Sequence, residues 1–461
     1  MKKFISLLFS VLILLSCFAP ATYASFYEPS ESEVEADIYY LFSADDGTVI
    51  SEKNIDKRAA PASITKIVTA VVTIENCADL DTVVTVPAYT IRLLDGTNSS
   101  TAGILVGEQM SVRDLLYCLL VYSANDAANV LADYIGGGSI DTFVGMMNDF
   151  VARLGCTATH FANAHGLDDD RHYTTARDLG VIYKYCIGNS VFTEISGTSR
   201  YEMPPTNKYT ETRYLNSTNK MFSSGISDYY CEYVKTGKTG TTDNAGHCVI
   251  SSASGDGYNY ICVVLNAPFY DCDGDGVNEN MAFVSSKNLY NWTFKHIKLC
   301  EVANPSTYVA EKRVNLSSKY DYVSLVPAKN VSALIPVNGD GDDKTGSVLI
   351  EPSADIAAAA VNAPVKKGDI LGKASIKYAD TVIAEVDLVA AFDVERSPLK
   401  YAAFLVKSAV STLAFKLVAA LVVIVFLPLC FYIFVVVPRR RNKKKNTVKV
   451  VKLNEDEKKR K

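Results

Sequence analysis

An α/β domain, a small all-β domain and a C-terminal membrane helix are what this 461-residue sequence predicts, on three observations. Strand-like runs at 36–50 and 247–267 enclose a middle with the 3.6-residue periodicity of helices, the mixture expected where helices pack on a sheet. From about 304 the texture changes to short alternating runs separated by polar turns. Residues 417–437 then hold 21 positions without a charge. With 48% hydrophobic and 21% charged residues, the balance is that of a folded chain long enough for a large core.

The elements run in order along the chain. Met1-Lys2-Lys3, the apolar run FISLLFSVLILLSCF and the small-residue stretch APATYA make a signal peptide over 1–24. In the domain at 25–300, ADIYYLFSADDGTVI, HCVISSAS and YNYICVVLNAP read as strands. ITKIVTAVVTIENC, SVRDLLYCLLVYSANDAANVLADYIGG and SIDTFVGMMNDFVARLG read as helices. The runs DYVSLVP, GSVLIEP, ILGKASIKYAD and TVIAEVDLVAA, with NGDGDD and PVKKGD turns, predict a β-sandwich at 304–398. A linker at 397–416 leads to the apolar segment 417–437, which as a helix is about 30 Å long, enough to cross a bilayer once. The stretch PRRRNKKK directly after it places the tail 438–461 in the cytoplasm and the bulk of the chain outside it, in an extracytoplasmic ectodomain of a cell-membrane protein.

Charge narrows the partners. The net charge is −5, yet residues 439–461 carry 12 Lys and Arg against 3 Asp and Glu; without that stretch and the two N-terminal lysines, the remainder is net −16. Such a body excludes nucleic-acid binding, which needs clustered positive charge. Eleven cysteines, nine outside the signal and membrane segments, show neither CxxC nor His-paired spacing, which predicts mostly buried free thiols and no metal site. His160, His165 and His172 read as loop histidines.

Three short motifs carry chemistry. Ser63 and Lys66 in PASITKIVTA are three apart at a helix start, so one turn puts hydroxyl and amine on the same face, a nucleophile beside its base. Backbone N–H groups at that helix end can serve a developing oxyanion. Ser123 and Asn125 form an S-x-N turn between two helical runs. Lys238-Thr239-Gly240 precedes a strand-like run and offers a cation and a hydroxyl to a carboxylate. The KTG triplet also stands at 235–237 and 344–346.

SxxK, S-x-N and KTG in that order are the signature of penicillin-binding proteins and serine β-lactamases. ASITKIVTA, LLVYSANDAANVLADYIGG, FVGMMNDFVARLG, THFANAHGLDDDRHYTTARDLG, PPTNKYTETRYLNSTNKM and KTGTTDNAGHCVISSAS resemble successive pieces of the low-molecular-weight penicillin-binding proteins that are D-alanyl-D-alanine carboxypeptidases. The last of these pieces matches without a gap from Lys238 onward, which favours the 238 copy of KTG over the other two. PVKKGDILGKASIKYADTVIAEVDLVAAFDVER is similar to the C-terminal β domain of that family. The resemblance covers about 36–398 and implies the α/β (α+β) penicillin-binding/β-lactamase-like transpeptidase fold, followed by a small all-β sandwich. It implies a serine peptidase that works without a cofactor, removes the terminal D-alanine of peptidoglycan pentapeptide stems and is acylated by β-lactams. Position by position, it makes Ser63 the nucleophile, Lys66 the proton acceptor and Ser123 the relay to the leaving D-alanine. Asn125 would hold the peptide amide, Lys238, Thr239 and Gly240 would face the terminal carboxylate, and the N–H groups of Ser63 and Thr241 would form the oxyanion hole.

Two departures stand out. The arginine that the family usually places before its last catalytic-domain helix falls on Ala282 here. In the same region DCDGDGVNE resembles the start of a calcium loop, D-x-D-x-D-G, but Ala282 occupies the twelfth position where a bidentate Glu is needed, which favours a solvated acidic turn. The alternatives are a serine β-lactamase, disfavoured by the missing deacylating Glu element and the extra β domain, and a catalytically decayed wall-binding protein, disfavoured by three intact motifs.

Overall fold

The computed structural model describes residues 34–222, 227–255, 257–337, 348–378 and 381–441. The signal-peptide segment 1–24, the KTG copy at 344–346 and the tail beyond Arg441 lie outside them. Two compact units emerge: one from residues up to Val302 with Ser332–Leu349 and Lys377–Ile383, the other from Ala303–Val331, Ile350–Ile376 and the chain after Ala384.

The first unit is a three-layer arrangement around a five-stranded antiparallel sheet. Its strands are β1 (Ile38–Ser43), β2 (Val49–Lys53), β3 (Val234–Thr242), β4 (Gly246–Gly255) and β5 (Tyr258–Ala267), in the order β2-β1-β5-β4-β3. The first and last strands of the sheet in sequence, β1 and β5, pair with each other, with Tyr40 opposite Val263. All six residues of β1 are buried, the mark of a strand covered on both faces. Tyr40 and Phe42 face a cluster built from α1 (Lys66–Asn76), α2 (Val112–Leu120), α3 (Asn125–Ile135), α4 (Ile140–Arg153) and α5 (Ala176–Cys186). Tyr39 and Leu41 face Leu289, Tyr290 and Phe294 of α6 (Met281–His296). Side-chain alternation along one strand therefore serves two cores.

Caps set the helix boundaries. Ser111, Ser139 and Thr175 accept the N–H three residues on, at 3.0–3.2 Å, and each satisfies one of the unpaired donors at the start of α2, α4 and α5. All ten cysteines among the described residues are free, six of them buried.

A six-stranded sheet, most of whose residues belong to the second unit, runs β8 (Val348–Pro352), β10 (Ile370–Tyr378), β11 (Thr381–Ala390), β7 (Tyr322–Pro327), β6 (Ala310–Asn315) and β9 (Val361–Asn362). The expected linker is helical over most of its length: α7 (Pro398–Ser411) starts with Pro398 at N1 and Ser397 as cap. A helix from Leu413 to Arg441, 29 residues, is long and apolar enough to cross a membrane, and it extends past both ends of the uncharged segment 417–437.

Candidate active site

Ser63 sits in a 3-10 turn, Ala62–Thr65, that feeds α1, and Lys66 is the first residue of α1. Lys66 Nζ lies 2.7 Å from Ser63 Oγ and 2.7 Å from the carbonyl oxygen of His165, and the side chain is wholly buried. A buried ammonium is costly, so burial, and then the nearby Lys238, push Lys66 well below the usual lysine range against the opposing charge of Asp126. A neutral amine fits both contacts, since it can donate to the carbonyl and accept the serine proton.

Two glycines let the backbone close on the nucleophile. At Gly166, with φ +93°, an added Cβ would collide with the Ala62 carbonyl; at Gly240 one would lie 3.0 Å from the Ser63 nitrogen. The His165-Gly166 loop and edge strand β3 thus flank Ser63. His165, whose Nδ1 accepts from Leu167, is held down to about 3 by burial and by Lys66. Neighbouring His172, pushed to about 4 by burial, has Nε2 2.7 Å from Thr65 Oγ1 and accepts from Ala162 on Nδ1. Both histidines brace the turn that carries Ser63, His165 through its carbonyl on Lys66 and His172 through Thr65.

Ser123 occupies the turn between α2 and α3 at φ +64°, a strained conformation for a serine that aims its hydroxyl into the cleft. Lys238 Nζ donates to Ser123 Oγ at 2.8 Å and to the Thr239 carbonyl at 2.8 Å; it is 1% exposed, and burial lowers it to about 7. Asn125 opens α3 with its N–H on the Ser100 carbonyl at 2.8 Å, while its side-chain oxygen is buried without a hydrogen-bond partner among the described residues. Asp126 beside it accepts from the N–H groups of Ala102 and Ile104 at 3.1 and 3.0 Å and pins the Ser100 segment over the turn.

The result is a cleft of about 410 Å³ into which Ser63, Ser123, Thr239, Gly240 and Thr241 open, with Lys66 and Lys238 beneath. All eight predicted positions gather there or immediately behind it. Sequence reasoning missed the His165 carbonyl, His172 and Asp126; no local signal could reveal them, because each acts through a partner 22–107 residues away. The DCDGDGVNE loop brings the carboxylates of Asp271, Asp273 and Asp275 within 4.8 Å of one another. They are spent on the loop's own backbone, Asp271 on Gly274 and Gly276, Asp273 on Asp275, Asp275 on Val277.

A family profile described as D-alanyl-D-alanine carboxypeptidase matches residues 25–269, more than half of the chain. The chain belongs to this family. A second profile, the C-terminal domain of penicillin-binding protein 5, matches residues 301–396. Among curated relatives of this carboxypeptidase, DacC of Escherichia coli K12 is 30% identical over 83% of the chain and 90% of its own length, and DacF of Bacillus subtilis 168 is 27% identical over 86% and 96%. Penicillin-binding protein 5 from Haemophilus influenzae superposes with a TM-score of 0.56 at 26% identity, covering 79% of this chain and 98% of that one. The Streptomyces K15 DD-transpeptidase gives 0.51 at 29%, covering 57% and 97%. The chain is thus a serine peptidase, a hydrolase with D-Ala-D-Ala carboxypeptidase function, and these relatives lend the β-lactamase alternative no support.

Proposed function

We propose that this carboxypeptidase removes the terminal D-alanine from peptidoglycan pentapeptide stems through an acyl-enzyme on Ser63. The observation that carries the assignment is a wholly buried Lys66 amine, pushed well below the usual lysine range by burial, 2.7 Å from Ser63 Oγ. Lys66 takes the hydroxyl proton as Ser63 Oγ bonds to the carbonyl carbon of the penultimate D-alanine, with the N–H groups of Ser63 and Thr241 facing the oxyanion. The C–N bond then breaks, and Ser123, in contact with Lys238, hands a proton to the departing D-alanine amine. Asn125, whose buried side-chain oxygen lacks a donor, is suited to the stem's amide N–H. Water cleaves the ester and regenerates Ser63. A β-lactam takes the acylation half of this path.

The same reading places 1–24 as an export signal, the Leu413–Arg441 helix across the membrane, the basic tail in the cytoplasm and the catalytic unit outside. Mass spectrometry of the full-length protein in detergent tests the chemistry. Native protein should carry a penicillin adduct on Ser63 and release D-alanine from an acylated L-Lys-D-Ala-D-Ala peptide; Ser63→Ala should do neither and keep its thermal transition. An adduct on the variant sinks the nucleophile assignment. Hydrolysed penicillin without D-alanine release sinks the carboxypeptidase.

A further inference from the structure

The departing D-alanine carries a carboxylate, and a cleft that selects for it needs a cation within reach. The arginine expected from the family resemblance falls on Ala282, which is 0% exposed in the first turn of α6. Lys238 lies beneath the surface, with Ser123 Oγ and the Thr239 carbonyl as its acceptors. His247, on the far wall, accepts the Asn280 amide on Nδ1 at 3.0 Å, which makes it the neutral Nε2–H tautomer. One other cation remains. Among the fifteen described residues that line the cleft, Lys220 is the only lysine or arginine, and no aspartate or glutamate accompanies it.

Building on the carboxypeptidase reading, we propose that Lys220 is the residue that recognises the C-terminal carboxylate of the substrate. Its main chain is set in place for that task. Thr218, two residues before, has its hydroxyl 2.7 Å from that of Thr239 and its N–H on the Val121 carbonyl at 3.1 Å, two residues before Ser123. Asn219 accepts from Met221 N–H at 3.0 Å and is itself buried. The turn carrying Lys220 is therefore tied to the KTG strand and to the S-x-N turn together. The exposed ammonium on its flexible stem completes a carboxylate subsite whose hydroxyls come from Thr239 and Thr241.

The test uses full-length protein in detergent with two peptides, acyl-L-Lys-D-Ala-D-Ala and the same peptide ending in a carboxamide. Lys220→Ala and Lys220→Gln should reduce the preference for the free carboxylate by about tenfold, mainly through KM, and Lys220→Arg should restore most of it. Raising salt from low to high should erode the preference of the native protein and leave that of Lys220→Ala flat, because an exposed ion pair is screened. A preference retained within about twofold in Lys220→Ala and Lys220→Gln overturns the inference, as does an equal loss on both peptides. Failure of the native protein to release D-alanine would instead overturn the carboxypeptidase reading itself.

Discussion

Strand β3 carries Lys-Thr-Gly twice in succession, at 235–237 and 238–240, and the identical triplets meet different surroundings. Lys235 is exposed and donates to the Glu232 carbonyl three residues back, at 3.2 Å. Lys238 is buried and reaches Ser123, 115 residues away in sequence. Thr236 turns to the core, with its hydroxyl 2.8 Å from that of Tyr183 and 2.6 Å from that of Ser252, whereas Thr239 meets Thr218 beside the cleft. A three-residue offset on a strand reverses the face, so copies of one motif cannot share a role. Residue type supplies the charge and the donors; burial and distant partners turn them into chemistry.

The largest effect should come from removing the buried lysine. Lys238→Ala should lower kcat/KM for D-alanine release by roughly 10²–10³-fold, while Lys235→Ala stays within about threefold. Steady-state kinetics with the tripeptide decides it, and the reverse ranking would move the site to the first triplet.

A second contrast lies in how stability depends on pH. Lys238 is lowered to about 7 when folded, so between there and its unfolded value near 10.5 the unfolded chain binds more protons than the native one. Stability must therefore rise with pH across that window, by about 5 kcal/mol at most from this residue. Lys66 contributes in the same direction. Thermal unfolding measured from pH 7 to 10 should show a shallower rise in Lys238→Met than in the native protein, and Lys235→Met should track the native slope. Identical slopes for both variants would mean that burial does not hold Lys238 neutral.

The threonines give the finest contrast. Thr236→Val leaves the buried Tyr183 hydroxyl short of a partner and should cost about 1–3 kcal/mol of stability with KM unchanged. Thr239→Val should raise KM a few-fold with Tm nearly constant, since its partner Thr218 is only half-buried. Comparison of Tm with KM for the pair separates a core hydroxyl from a substrate-facing one.

Much of the site was legible because its first step is local. Ser63 and Lys66 share a face wherever that segment turns helically, and the apolar periodicities of 66–76, 112–120 and 140–153 announce the helices around them. The long apolar helix was legible for the same reason, since length and apolarity are properties of one segment. Within the expected linker at 397–416, Ser397 and Pro398 mark a helix start, a local signal that the expectation of a plain linker leaves unused.

By itself, then, the sequence determined what is contained in short windows: Ser63 and Lys66 on one helical turn, the S-x-N turn, the strand and helix periods, the bilayer-length run and the acidic turn at 271–279. Tertiary structure alone decided that Lys238 is buried against Ser123, that the His165 carbonyl holds Lys66, that Asp126 pins the wall over Asn125, and that Ala282 is buried where a cation was expected. The physical reason is common to all four. A proton affinity or a hydrogen bond in a buried site depends on the water excluded and the dipoles brought near, and both come from segments distant along the chain.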